Sequence, residues 1–299
     1  FCHYSDITSL YNETTKEIKM TIKISVLVDN NTLIDSYFCG EPAVCYHIEA
    51  DGKKILFDTG YSDVFINNAN ILNIDLAQIT DLVLSHGHND HTWGINHLIQ
   101  YLDRRNVESQ QSKKLIYHPD ALQPKSYHSK VIGANTPKNV LTAYFDTVET
   151  KGAYSVSENV IFLGEIPRNN TFEGKEPVGK TIDEHNNSVD DYVLDDSALA
   201  IKTSEGLIVI TGCSHSGICN IVEHAKRVTK IDKIVTVIGG FHLQQASDEL
   251  LNQTSDYLKK QNLLQIHPCH CTDLAAKIHL AKHAPVQEVG AGMQLIYPA

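Results

Sequence analysis

The sequence predicts an α/β protein, a sandwich of two β-sheets with helices outside, and three observations carry that prediction. Short β-rich runs with turn signals between them recur in both halves of the chain, and segments with apolar residues at helical spacing are interleaved with them. In addition, Ile55-Leu56-Phe57-Asp58-Thr59-Gly60 is echoed by Ile208-Val209-Ile210-Thr211-Gly212-Cys213, as if one element were used twice. The 299 residues allow two domains or one large one. Two similar halves favour a single domain over residues 20–299, with the polar residues 1–19 read as an extension outside the fold.

Taken in order, residues 21–28, 44–49 and 54–57 read as strands, the last two joined by the hairpin signal Asp51-Gly52. Residues 62–72 read as a helix, 82–84 as a short buried strand, and 94–102 as a helix with Ile95, Leu98, Ile99 and Leu102 on one face. Residues 115–117 add a strand. From 118 to 196 the pattern weakens into an inserted loop region whose acidic residues Asp183, Glu184, Asp190, Asp191, Asp195 and Asp196 read first as a solvated loop. Beyond it, strands are expected at 198–202, 207–210, 234–238, 264–267 and 293–297, and helices at 218–228, 248–261 and 274–283.

Composition bounds the function. With 42% apolar and 20% charged residues the chain reads as globular. No apolar run reaches the roughly 18 residues of a membrane span. A net charge of −11 with no basic run argues against nucleic-acid partners. Seven irregularly spaced cysteines, an odd number, point to a reducing, cytoplasmic setting in place of a disulfide framework. Oligomeric state is left open.

Histidine, with 16 copies, is the unusual residue, and its densest cluster is His86-Gly87-His88-Asn89-Asp90-His91. His86 and His88, two apart just past a buried strand, project to one side and can grip one metal. Asp90 and His91, expected at a turn, can address a second. Imidazoles with a carboxylate suit Zn²⁺ and also accept Mn²⁺ or Fe²⁺.

On these residues the chain resembles the metallo-β-lactamase superfamily, whose signature is His-x-His-x-Asp-His after a strand. Leu56-Phe57-Asp58-Thr59-Gly60 is similar to the family's strand-Asp-x-Gly element. Four further segments resemble the branch known as dihydropterin-ribofuranosyl-aminobenzene-phosphate-synthase-like: Gly164-Glu165-Ile166-Pro167-Arg168, Thr211-Gly212-Cys213-Ser214-His215, Gly239-Gly240-Phe241-His242-Leu243 and His270-Cys271-Thr272. The resemblance implies a four-layer αβ/βα sandwich with a two-metal site at one edge. His86, His88 and His215 would bind the first ion, and Asp90, His91 and His270 the second. Cys213 stands where the family expects a bridging Asp, and is either a thiolate ligand or a small buried residue beside the site. Asp58 is placed to hydrogen-bond a ligand imidazole from behind.

A pair of divalent ions makes hydroxide available at neutral pH, so hydrolysis follows, with Asp90 orienting the nucleophile. Arg168, one of four arginines, and His242 are expected to hold a small anionic substrate, a nucleotide- or pterin-like phosphoester or phosphodiester. The alternatives are a lactone, thioester or β-lactam hydrolase on the same fold, and a non-hydrolytic metal or redox sensor.

Overall fold

Alternating and continuous apolar runs build the strands directly. The computed structural model describes residues 21–105 and 113–299, so the expectation for residues 1–19 lies outside the described residues. In the first half, β1 (Thr21–Val28), β2 (Cys45–Ala50) and β3 (Lys53–Phe57) form an antiparallel meander, followed by α1 (Val64–Ile71) and β4 (Asp81–Val83). Next come α2 (Asn89–Thr92), α3 (Gly94–Arg104) and β5 (Lys114–Tyr117). In the second half, β13 (Ala198–Thr203) and β14 (Gly206–Thr211) form a hairpin. After it follow α5 (Ile218–Thr229), β15 (Ile234–Gly240), α6 (Asp248–Lys260), β16 (Gln265–Cys269), α7 (Leu274–Leu280) and β17 (Gln294–Pro298).

The 118–196 region is more ordered than its sequence suggests. It contributes β6 (Ser126–Tyr127), β7 (Lys130–Val131), α4 (Lys138–Tyr144), β8 (Asp146–Glu149), β9 (Tyr154–Ser155), β10 (Val160–Phe162), β11 (Lys180–Ile182) and β12 (Ser188–Asp190). Strands this short carry no readable period, and their partners lie far away in sequence. The first large sheet has the order β17-β1-β2-β3-β4-β5-β8 and the second β16-β15-β14-β13-β10-β9, while β12-β11-β6-β7 form a small third sheet.

The layers follow from which face each side chain takes. Ile208 and Ile210 of β14 face Tyr46, Ile48, Ile55 and Phe57 of the first sheet across the central core. Leu207 and Val209 face outward, against Ile221, Val222 and Ala225 of α5 and Leu251 and Leu258 of α6. On the other side Leu27, Leu56 and Leu82 pack under Phe65 of α1 and Leu98 and Leu102 of α3. The result is a four-layer αβ/βα sandwich. Strands covered on both faces explain the unbroken apolar run at 207–210. β3 to β5, and β14 to β16, run parallel, so their carboxyl ends fall at the sheet edge where ligands gather in such sheets.

Two core histidines, His47 in β2 and His267 in β16, are buried, and neither ring nitrogen of His47 has a hydrogen-bond partner among the described residues. Burial pushes both down from 6.5 to about 4. The unfolded chain therefore takes up protons between those values that the folded chain refuses. Their contribution is intact above pH 6.5 and is lost as pH falls toward 4. Shifts of this size correspond to roughly 3 kcal/mol per residue. Urea unfolding at pH 7 and pH 4.5 should show a marked loss of stability at the lower pH. His47→Phe should flatten that dependence; an unchanged profile would rule out the assignment.

Candidate metal centre

Five parallel strands end at one edge, and each delivers candidate ligands or their supports. β3 runs into Asp58, β4 into His86 and His88, β14 into Cys213 and His215, β15 into His242, and β16 into His270. The chain turns sharply at these ends: Asp58, Ser214, His242 and His270 all adopt left-handed backbone, with φ of 58°, 58°, 51° and 50°. Such conformations cost energy in non-glycine residues and persist where surrounding contacts over-determine them. Asp90 and His91, expected at a turn, lie instead on the short helix α2, which is capped by His88 in extended backbone.

Two groups of potential ligand atoms form there. His86, His88 and His215 make one and Asp90, His91, Cys213 and His270 the other, with the atoms of each within 4.8 Å of one another. In the first group, His86 Nε2 lies 3.0 Å from His88 Nδ1, and the His215 ring centroid is 4.8 Å from both neighbouring rings. His88 Nε2 and both nitrogens of His215 are buried without a hydrogen-bond partner among the described residues. In the second group, Asp90 Oδ2 lies 3.2 Å from His270 Nε2 and 3.6 Å from His91 Nε2. Cys213 Sγ is 3.2 Å from His91 Nε2.

Asp58 organises the second group from behind. Its Oδ1 accepts the Ser85 backbone N–H at 2.7 Å, and its Oδ2 accepts the Ser85 hydroxyl and His91 Nδ1–H, both at 2.7 Å. That fixes the His91 ring with Nε2 toward Cys213 and Asp90. His270 is fixed similarly, its N–H donating to Asp29 at 2.9 Å and its Nδ1 lying 3.1 Å from Asn30 Oδ1.

The two groups differ electrostatically. Burial, and then the neighbouring histidines, hold His86 well below its ordinary value. Burial takes His88 down to about 4, and burial with His242 lowers His215. At neutral pH these rings are neutral and offer lone pairs, the state a metal ion requires. Burial also opposes charge on His91, but the Asp90 and Asp58 carboxylates outweigh it and raise the ring to about 9. Asp90 is held well below the usual carboxylate range because His91 and His270 overcome its desolvation. Buried unpartnered nitrogens in one group and a His/Asp/Cys donor set in the other both fit a divalent ion such as Zn²⁺.

Several supports were not legible in sequence. Gly87 N donates to Asp195 Oδ2 at 2.8 Å, and Lys125 Nζ bridges Asp191 and Asp195 at 2.8 and 2.9 Å, all three side chains buried. Asp196 accepts the backbone N–H and the hydroxyl of Ser216. The solvated-loop reading of the acidic cluster is therefore corrected for Asp191, Asp195 and Asp196, while Glu184 and Asp190 are exposed and Asp183 is half-buried. Arg168 is also placed differently: its Nη2 donates to the backbone carbonyls of Tyr192 and Val193. His242 does reach the site, its ring 4.3 Å from that of His215.

Residues 40–226 match the metallo-beta-lactamase superfamily. An uncharacterized protein of Methanocaldococcus jannaschii is 34% identical over 87% of this chain and 94% of its own length. The 7,8-dihydropterin-6-methyl-4-(beta-D-ribofuranosyl)-aminobenzene-5'-phosphate synthase of the same organism is 30% identical over 86% of this chain and 89% of its own. The crystal structure of Tm1679, described as a metal-dependent hydrolase of the beta-lactamase superfamily, superposes with a TM-score of 0.78 at 28% identity. It covers 93% of this chain and all of that one.

Asp58→Asn should weaken metal binding about 10- to 100-fold, because His91 loses the acceptor that orients it. Chelator competition with Zn²⁺ measures this; unchanged affinity would remove Asp58 from the site. Lys125→Met, which strands two buried carboxylates, should cost about 3–5 kcal/mol of stability in urea unfolding.

Proposed function

Since this chain belongs to the metallo-beta-lactamase superfamily, we propose that it is a metal-dependent hydrolase of a small anionic phosphoester or phosphodiester, nucleotide- or pterin-like in its organic part. The observation that carries this reading is the pair of candidate ligand groups side by side at the strand ends, with buried ring nitrogens that lack partners among the described residues. His86, His88 and His215 would hold one ion, and Asp90, His91, Cys213 and His270 the other. When bound, such a pair, most simply Zn²⁺, polarises a substrate oxygen and acidifies water toward a pKa near 7.

The remaining work falls to the chain. Asp90 is partly exposed at the site mouth and oriented by His91 and His270, so it can direct the nucleophile and take its proton. His242 stands on the wall beside His215, where it can donate to the leaving group or to an anionic oxygen. Arg168 has its Nη2 tied to two backbone carbonyls, so the anion contact falls to His242. A phosphate-bearing substrate is supported by the relative named as a 5'-phosphate synthase, and the net charge of −11 favours a small substrate over a polyanion. The six cysteines among the described residues are all free, which supports a reducing, cytoplasmic setting.

Zinc- or manganese-loaded protein should hydrolyse bis(p-nitrophenyl) phosphate or a cyclic nucleotide, lose that activity on chelation and consume no oxygen. Hydrolysis confined to an acyl lactone or nitrocefin would overturn the phosphoester reading. Asp90→Asn should lower kcat about 100-fold or more with an unchanged melting midpoint; retained turnover would remove Asp90 from the reaction.

A further inference from the structure

A cleft of about 310 Å³ opens beside the first ligand group, with His215 and His242 at one end and Phe172, Pro177, Phe241, Leu243 and Leu250 among its lining. His215 is 8% exposed and belongs both to the lining of the cleft and to the first ligand group, so the two are continuous. Phe241 and Leu243 are nearly buried, while Phe172 and Leu250 are half-buried, packed against the outer core on one side and lining the cleft on the other. The volume lies at the low end for small-molecule sites, enough for one or two rings and too little for a long chain.

The outer wall is held in place by the protein itself. The Glu173 carboxylate accepts the backbone N–H groups of Asn220 at 2.7 Å and Cys219 at 3.2 Å, in the first turn of α5. In return, Asn220 Oδ1 accepts the N–H groups of Asn169 and Asn170, both at 3.0 Å. This reciprocal latch fixes the segment that carries Phe172 and Pro177 before any ligand arrives, which removes much of the ordering cost of binding. Lys175 and Glu176 also line the cleft and are both exposed, so a cation stands there beside a carboxylate.

We propose that this cleft is a specificity subsite which takes an apolar ring carried by the substrate next to the anionic group presented to the metal centre, and so selects aryl or heteroaryl anions over small alkyl ones. The proposal rests on the hydrolase reading for the position of that anionic group. Apolar burial against Phe172 and Leu250 supplies the preference, and the latch through Glu173 keeps the wall from yielding to poorer ligands.

Calorimetry on the zinc-loaded protein with two matched pairs, phenylphosphonate against methylphosphonate and benzoate against acetate, tests this. The phenyl member should bind at least tenfold more tightly. Leu250→Ser on the half-exposed face of α6, and separately Phe172→Ala, should bring the ratio to within threefold while leaving the methyl member unchanged. A ring preference seen only in the carboxylate pair keeps the subsite and overturns the phosphoester reading. No preference in either pair, no binding by any of the four probes, or a preference that survives both substitutions overturns the subsite.

Discussion

The buried carboxylate of Asp58 is the point on which the edge of this molecule depends. It receives one backbone and two side-chain donors, from Ser85 and His91, and so ties the end of β3 to the end of β4 and to α2. A charge taken out of water needs such partners, and hydrogen bonds to an ionised group are worth roughly 1.5–3 kcal/mol each. The left-handed turn at Asp58 is the geometric condition for it, because it brings the carboxylate back over the next strand end. The line Asp58–His91–Asp90 then alternates acceptor, ring and acceptor. The two carboxylates that flank His91 raise its affinity for a proton, and the same negative charge makes this a place where a cation is electrostatically welcome.

The two halves of the chain solve one problem twice. Each begins with an antiparallel hairpin and continues into parallel strands, β2-β3-β4-β5 in the first sheet and β13-β14-β15-β16 in the second. The matched segments at 55–60 and 208–213 are the strand ends at which both halves reach the candidate metal centre. The sheets share the central core, so neither half holds a complete ligand group: His215 completes the pair begun by His86 and His88, and Cys213 and His270 complete that begun by Asp90 and His91.

Most of the main-sheet strands and the helices packed on them were legible because their signals are local: period, turn residues, and a histidine cluster after an apolar run. The inserted region was not. Its strands of two to four residues leave no pattern, and the burial of Asp191 and Asp195 depends on Lys125, some seventy residues upstream. A charge run reads as solvated unless its partners are known, and here they include Lys125, the N–H of Gly87 and, for Asp196, Ser216. Arg168 shows the same limit from the other side, since its residue type suits an anion but its position gives it to backbone carbonyls. At Cys213 sequence left two readings, and the fold puts its sulfur among the second group of donors while also burying it.

The N–H of Gly87 that binds Asp195 belongs to a residue with no room for a side chain. A Cβ there would run into the carbonyl of Ala121, in the turn at Pro119–Leu122 that packs over the histidine loop. Even alanine at 87 would require that turn to move, and the turn is fastened in its place by His118, whose Nδ1 accepts the Asp120 N–H. The path through sequence space is therefore narrow at this point. The backbone between His86 and His88 can change only if the turn above it moves as well.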